Sequence, residues 1–98
     1  MQNDRFIWDE NKHDDNICKH GIDFFEAATV FDDPNAVIEY DETHSIEEDR
    51  FVVIGISENM RLLLVCHCYK DDGDKIRIIS ARKATRPEAN QYGRGGAG

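Results

Sequence analysis

Two alternating runs, RLLLVCHCY (61–69) and KIRIISA (75–81), flank the dipeptide Asp72-Gly73. An Asp-Gly pair between apolar, β-branched runs is a strong local hairpin signal, because both central positions of a tight turn need positive φ. A two-residue turn there pairs Asp71 with Asp74, His67 with Ile78 and Leu63 with Arg82. The preceding run, RFVVIGIS (50–57), ends at Glu58-Asn59. A second two-residue turn at that point pairs Ser57 with Met60, Val52 with Val65 and Arg50 with His67. Strand side chains alternate, so one face is expected to carry Arg50, Val52, Arg61, Leu63, Val65, His67, Ile78, Ser80 and Arg82. Phe51, Val53, Leu64, Cys66, Cys68, Arg77 and Ile79 fall on the other. Both faces are apolar at their centres, so helices are expected on each.

The remaining segments complete an α+β chain. FIW (6–8) reads as a short first strand, and AVIEY (36–40) adds a strand ahead of the hairpins. DENKHDDNICKH (9–20) is polar and ambiguous, although Gly21 is a good helix stop. Asp23 precedes FFEAATVF, where Phe24, Ala27, Ala28 and Phe31 recur at helical spacing until Asp33-Pro34 ends the segment. Thr85, with Pro87 in the first turn and Glu88 three residues on, marks a last short helix reaching Tyr92. The order is one strand, two helices, a four-stranded antiparallel meander and a final helix. Residues 1–92 make one domain, and GRGGAG (93–98) reads as a flexible tail.

Charge supplies the first functional signal. The chain carries a formal net charge of -8, yet residues 1–49 hold 3 Lys/Arg against 15 Asp/Glu and residues 50–98 hold 9 against 5. Global acidity argues against a non-specific nucleic-acid coat, while a local basic patch can still grip a few phosphates. No apolar run is long enough to span a bilayer and no signal peptide is visible. Three cysteines, an odd number, fit reduced thiols and a cytoplasmic location. Cys66-His67-Cys68 resembles a metal motif, but alternation sends the thiols and the imidazole to opposite sides, so no metal and no cofactor are expected.

The frame Phe6 to Lys12, Asn16, Lys19-His20-Gly21, Phe25 to Ala28 and Val30 to Pro34 opens a longer pattern. It continues with Arg50, Gly55, Arg61 to Leu63, Val65, Arg77 to Thr85, Glu88 and Tyr92. This pattern resembles the BrnT toxin family of bacterial type II toxin–antitoxin modules over nearly the whole chain. The resemblance implies a RelE-like fold and a ribonuclease activity that stalls translation. It also implies neutralisation by a BrnA-type antitoxin, whose ribbon-helix-helix domain, rather than the toxin, binds promoter DNA.

Metal-free RNA cleavage by the ribose 2′-hydroxyl needs a base, cations for the charge growing on phosphorus, and an acid for the leaving oxygen. Arginine suits the middle task because its fork matches phosphate oxygens and stays charged. Arg61, Arg77 and Arg82 are the expected clamp and His67 the expected proton-transfer group. The face assignment nevertheless sets Arg77 apart from the other two. Lys19, His20, Lys83 and Arg86 are candidate RNA contacts, with Arg50, Glu88 and Tyr92 behind them. An antitoxin-binding module with feeble or no catalysis, or a domain whose arginines are purely structural, are the competing readings.

Overall fold

The computed structural model describes residues 5–96. It contains β1 (Phe6–Ile7), α1 (Glu10–His20), α2 (Phe24–Thr29), β2 (Val37–Tyr40), β3 (Phe51–Ile56), β4 (Leu62–Lys70), β5 (Lys75–Lys83) and α3 (Arg86–Gly96). The strands form one sheet in the order β1-β5-β4-β3-β2. β2 to β5 make the expected antiparallel meander, and β1 runs parallel along the outer edge of β5. The α+β class and element order are those expected from the sequence.

Local chemistry explains the helices. The Asp9 carboxylate accepts from Asn11 N at 2.7 Å and Lys12 N at 3.3 Å, capping α1. At the other end Gly21, at φ 69°, closes the helix by donating to Ile17 O. Between its caps α1 buries only His13 and Asn16. Asn16 holds the helix down through polar contacts: its amide donates to Ile22 O and Ala81 O at 2.8 Å each and accepts from Ala81 N at 3.0 Å. A helix anchored this way has no apolar stripe, so its sequence looked ambiguous. Asp23 caps α2 through Glu26 N, and Thr85 and Glu88 form the expected capping box of α3.

The core lies between α2, its flanking segments and one face of the sheet. Trp8, Ile22, Phe24, Ala27 and Val30 pack against Val53, Leu63, Val65, Ile78 and Ala81. α3 crosses one end of the opposite face, where the Tyr92 hydroxyl donates to Asp33 Oδ2 at 2.9 Å and Gln91 approaches the sheet. That helix runs through Gly96, over most of the segment expected as a tail (93–98); residues 97–98 lie outside the described residues.

Two features revise the expected face assignment. The β3–β4 turn has three residues rather than two: Ser57 N donates to Arg61 O, Met60 N to Ser57 O, and Met60 takes φ 61°. Each β3 residue therefore slips by one, pairing Val52 with Cys66 and Phe51 with His67. On the other side His67 does pair with Ile78, but an irregularity between Cys66 and His67 moves the rest of β5 by one. Arg82 faces Leu64 rather than Leu63. A one-residue slip reverses every side chain beyond it. Arg50 and Arg82 consequently leave the core face and join Arg77 on the opposite one.

Candidate functional site

The face of the sheet turned away from α1 and α2 carries Arg50 before β3, Lys70 at the end of β4, and Arg77 and Arg82 on β5. The cations are grouped around two carboxylates. Glu48, in the β2–β3 loop, accepts from Lys70 Nζ at 2.8 Å and lies 3.9 Å from both Arg50 Nη2 and Arg77 Nη1. The bond from Lys70 and the surrounding charge hold the Glu48 carboxyl below its usual range, against the effect of burial. At 3.9 Å the arginines are attracted to Glu48 without being hydrogen-bonded to it, so their forks keep donors to spare. Arg82 makes the closer pair, donating to both Glu88 oxygens at 2.8 and 2.9 Å. That bond drives the Glu88 carboxyl down to about 2.

Between Arg50 and Arg82 lies an open groove of about 470 Å³, floored by Val52, Leu64, Cys66 and Ser80. Its size falls within the ~300–1,000 Å³ typical of small-ligand sites. Burial raises the Cys66 thiol, which therefore behaves as an inert floor rather than a nucleophile. The β2–β3 loop forms the rim. Within it Ser45 Oγ donates to Asp41 O at 2.6 Å and accepts from Arg50 N at 2.9 Å, stapling the loop's two ends.

The other expected residues lie elsewhere. Arg61 sits on the helix side of the sheet, where Glu26 accepts from its Nε at 2.8 Å and from its Nη2. Glu26 is 3 % exposed and also accepts from Ser57 Oγ at 2.7 Å. Arg61 thus neutralises a buried acid and does not join the arginine cluster. His67 is fully buried, with Nδ1 against Val65 O and Nε2 against the Tyr69 hydroxyl. Phe31 and Phe51 pack on its ring. Burial lowers its pKa, so it stays neutral, and it is sealed from the cationic face by the sheet. The juxtaposition of His67 with Arg50 expected from the sequence is absent, because the longer β3–β4 turn turned Arg50 over. Lys19 and His20 are exposed at the C-terminal end of α1, on the helix side of the sheet. Lys83 and Arg86 are exposed where β5 passes into α3, and Lys83, paired with Leu63, is set on the face of β5 opposite to Arg82. Tyr92 is a tether for α3.

Sequence reasoning overlooked Glu48, Lys70, Asp41 and His44, all of which border this face. The spacing Asp41-x-x-His44 in a loop was the available signal. Among the described residues no group of three metal-ligating side chains converges, and no helix is long and apolar enough to cross a membrane.

Fold and site together define a small α+β protein with an arginine-lined sheet face suited to phosphate groups. A protein-family model, ribonuclease toxin BrnT of type II toxin–antitoxin systems, matches residues 8–88. The crystal structure of the Brucella abortus ribonuclease toxin BrnT is similar, with a TM-score of 0.66 and 26% sequence identity. The match covers 86% of this chain and 100% of that one. No curated protein matches the chain. The chain belongs to the BrnT family of ribonuclease toxins, and membership of a type II toxin–antitoxin system implies an antitoxin as its partner.

Proposed function

We propose that this chain cleaves RNA without a metal, that cleavage inhibits translation, and that a BrnA-type antitoxin neutralises it. One observation carries the reading: Arg50, Arg77 and Arg82 share one sheet face, and each is near a carboxylate that a phosphate can replace. Guanidinium groups supply the charge stabilisation that a metal ion would otherwise give to the phosphorane-like transition state. Arg86, exposed at the β5–α3 junction, extends the cationic track for an RNA strand. In this reading promoter DNA is contacted through the antitoxin's ribbon-helix-helix domain, since the toxin's remaining surface is acidic.

The bidentate Arg82–Glu88 pair favours a second reading, in which the face binds an antitoxin but no longer cleaves. Expression without a partner separates the two. Growth arrest with loss of bulk translation is expected for the wild type. Arg77→Ala and Arg82→Ala should each relieve the arrest while circular dichroism shows a folded chain. Arrest of equal depth in both variants removes the clamp, and a wild type that leaves growth untouched favours the binding module.

A further inference from the structure

The clamp lacks a proton acceptor, and the structure offers one that the sequence did not reveal. The chain has four histidines. His13 is buried and stacked on Phe24, His20 ends α1 on the far side of the sheet, and His67 is in the core. His44 alone borders the groove that holds Arg50 and Arg82. Its Nδ1 lies 2.8 Å from Asp41 Oδ2. An ionised carboxylate only accepts, so Nδ1 carries a proton, and in the neutral form of the ring the lone pair is on Nε2. The dyad is held in place as well as paired. Asp41 N donates to Arg50 O at 2.9 Å, and Ser45 bonds both residues, fixing the histidine's loop to the arginine's strand. Beside it Arg50 Nε is buried without a hydrogen-bond partner among the described residues. The accessible end of the same side chain, Nη2, lies 3.9 Å from Glu48 and keeps donors for an oxyanion entering the groove.

We infer that His44 is the general base of this toxin, oriented by Asp41, and that the groove between Arg50 and Arg82 holds the scissile phosphate. The inference rests on the RNA-cleaving reading given above. In the step, His44 Nε2 takes the proton of the ribose 2′-hydroxyl, and O2′ bonds to the adjacent phosphorus. The bond from phosphorus to O5′ breaks, and a water molecule protonates the departing oxygen. The products are a 2′,3′-cyclic phosphate and a free 5′-hydroxyl, with no redox change. Arg50 and Arg82 receive the charge on the non-bridging oxygens, and Asp41 is a positioning residue that keeps the imidazole in one tautomer.

The test uses the full-length chain with single-stranded RNA, both free and on translating ribosomes, on whichever of the two the wild type cleaves. His44 is exposed, so His44→Ala should fold normally. Its kcat should fall about 100-fold or more with KM little changed, the scale of a lost general base. Added imidazole should restore part of that loss. Asp41→Asn should lower kcat by a smaller factor and should not respond to imidazole. A substrate carrying a single 2′-deoxy nucleotide at the cut site should bind and resist cleavage. Full activity in His44→Ala, beside an active wild type, overturns the assignment of His44 and leaves the clamp standing. A wild type that cleaves neither substrate overturns both readings.

Discussion

The Glu26–Arg61 pair gives a measurable consequence of the structure, because the two possible uses of Arg61 predict different outcomes. Glu26 is buried and its carboxyl is lowered from 4.5 to about 2, chiefly by the hydrogen bond from Arg61, with burial opposing and Ser57 assisting. A folded-state pKa below the unfolded one stabilises the protein fully above about pH 4.5, and that stabilisation is lost as pH falls towards 2. At ~1.4 kcal/mol per pH unit the difference approaches ~3 kcal/mol near neutrality. Solvent screening at Arg61, whose side chain is 34% exposed, reduces this to ~2–3 kcal/mol. Glu26→Gln, assayed by urea unfolding, should therefore cost about that much near pH 7 and ~1 kcal/mol less at about pH 3.5. A penalty below ~1 kcal/mol, or one that does not change with pH, would refute the buried-pair account. Replacing both partners with methionine should retain most of the stability, since apolar replacements of buried pairs are often neutral. RNA cleavage should survive in that double variant. If it disappears while the protein stays folded, Arg61 belongs to the clamp after all.

Two further outcomes follow from the same geometry. Asn16→Leu should lower stability by at least ~2 kcal/mol in chemical denaturation, because it strands Ala81 N–H, Ala81 C=O and Ile22 C=O in a dry interface. Treating the purified toxin with EDTA should leave both its melting temperature and its RNA cleavage unchanged; stoichiometric metal lost together with activity would contradict this.

The element order was legible because it depends on signals a few residues long. Asp23 and Thr85 cap helices, Gly21 ends one, and period-2 runs mark the strands. The arrangement of the site was not, because it depends on single-residue register. Met60 adopts φ 61° in a turn that carries no glycine to announce it, and that one added residue carries Arg50 to the other face. The irregularity opposite Cys66 and His67 does the same for Arg82 and has no local sequence mark. Together the two shifts resolve the conflict in the sequence reading, where Arg77 stood apart from Arg82. They also explain why His67 looked functional: a histidine facing an arginine suggests chemistry, whereas one packed by Phe31 and Phe51 does not. Glu26 was hidden for a different reason. A charged residue in an amphipathic helix reads as solvent-facing until a partner 35 residues away accounts for it.

Gathering arginines on an acidic scaffold has an electrostatic logic. Cations on one concave surface repel each other, and desolvating them without an anion is costly. Glu48 and Glu88 offset both effects, and they do so to different degrees. Glu48 is hydrogen-bonded to Lys70 and only near Arg50 and Arg77, so a phosphate entering between those arginines need not break the Lys70 contact. Glu88 is fully engaged with Arg82, and its Oε1 also accepts from Thr85 N at the start of α3. A phosphate that takes Arg82 from Glu88 still leaves that capping bond in place, so α3 keeps its first turn. Exchange is therefore less costly at Arg50 and Arg77 than at Arg82. The two carboxylates thus raise the threshold for anions generally, and a polyanion bridging all three arginines overcomes it more readily than a single phosphate.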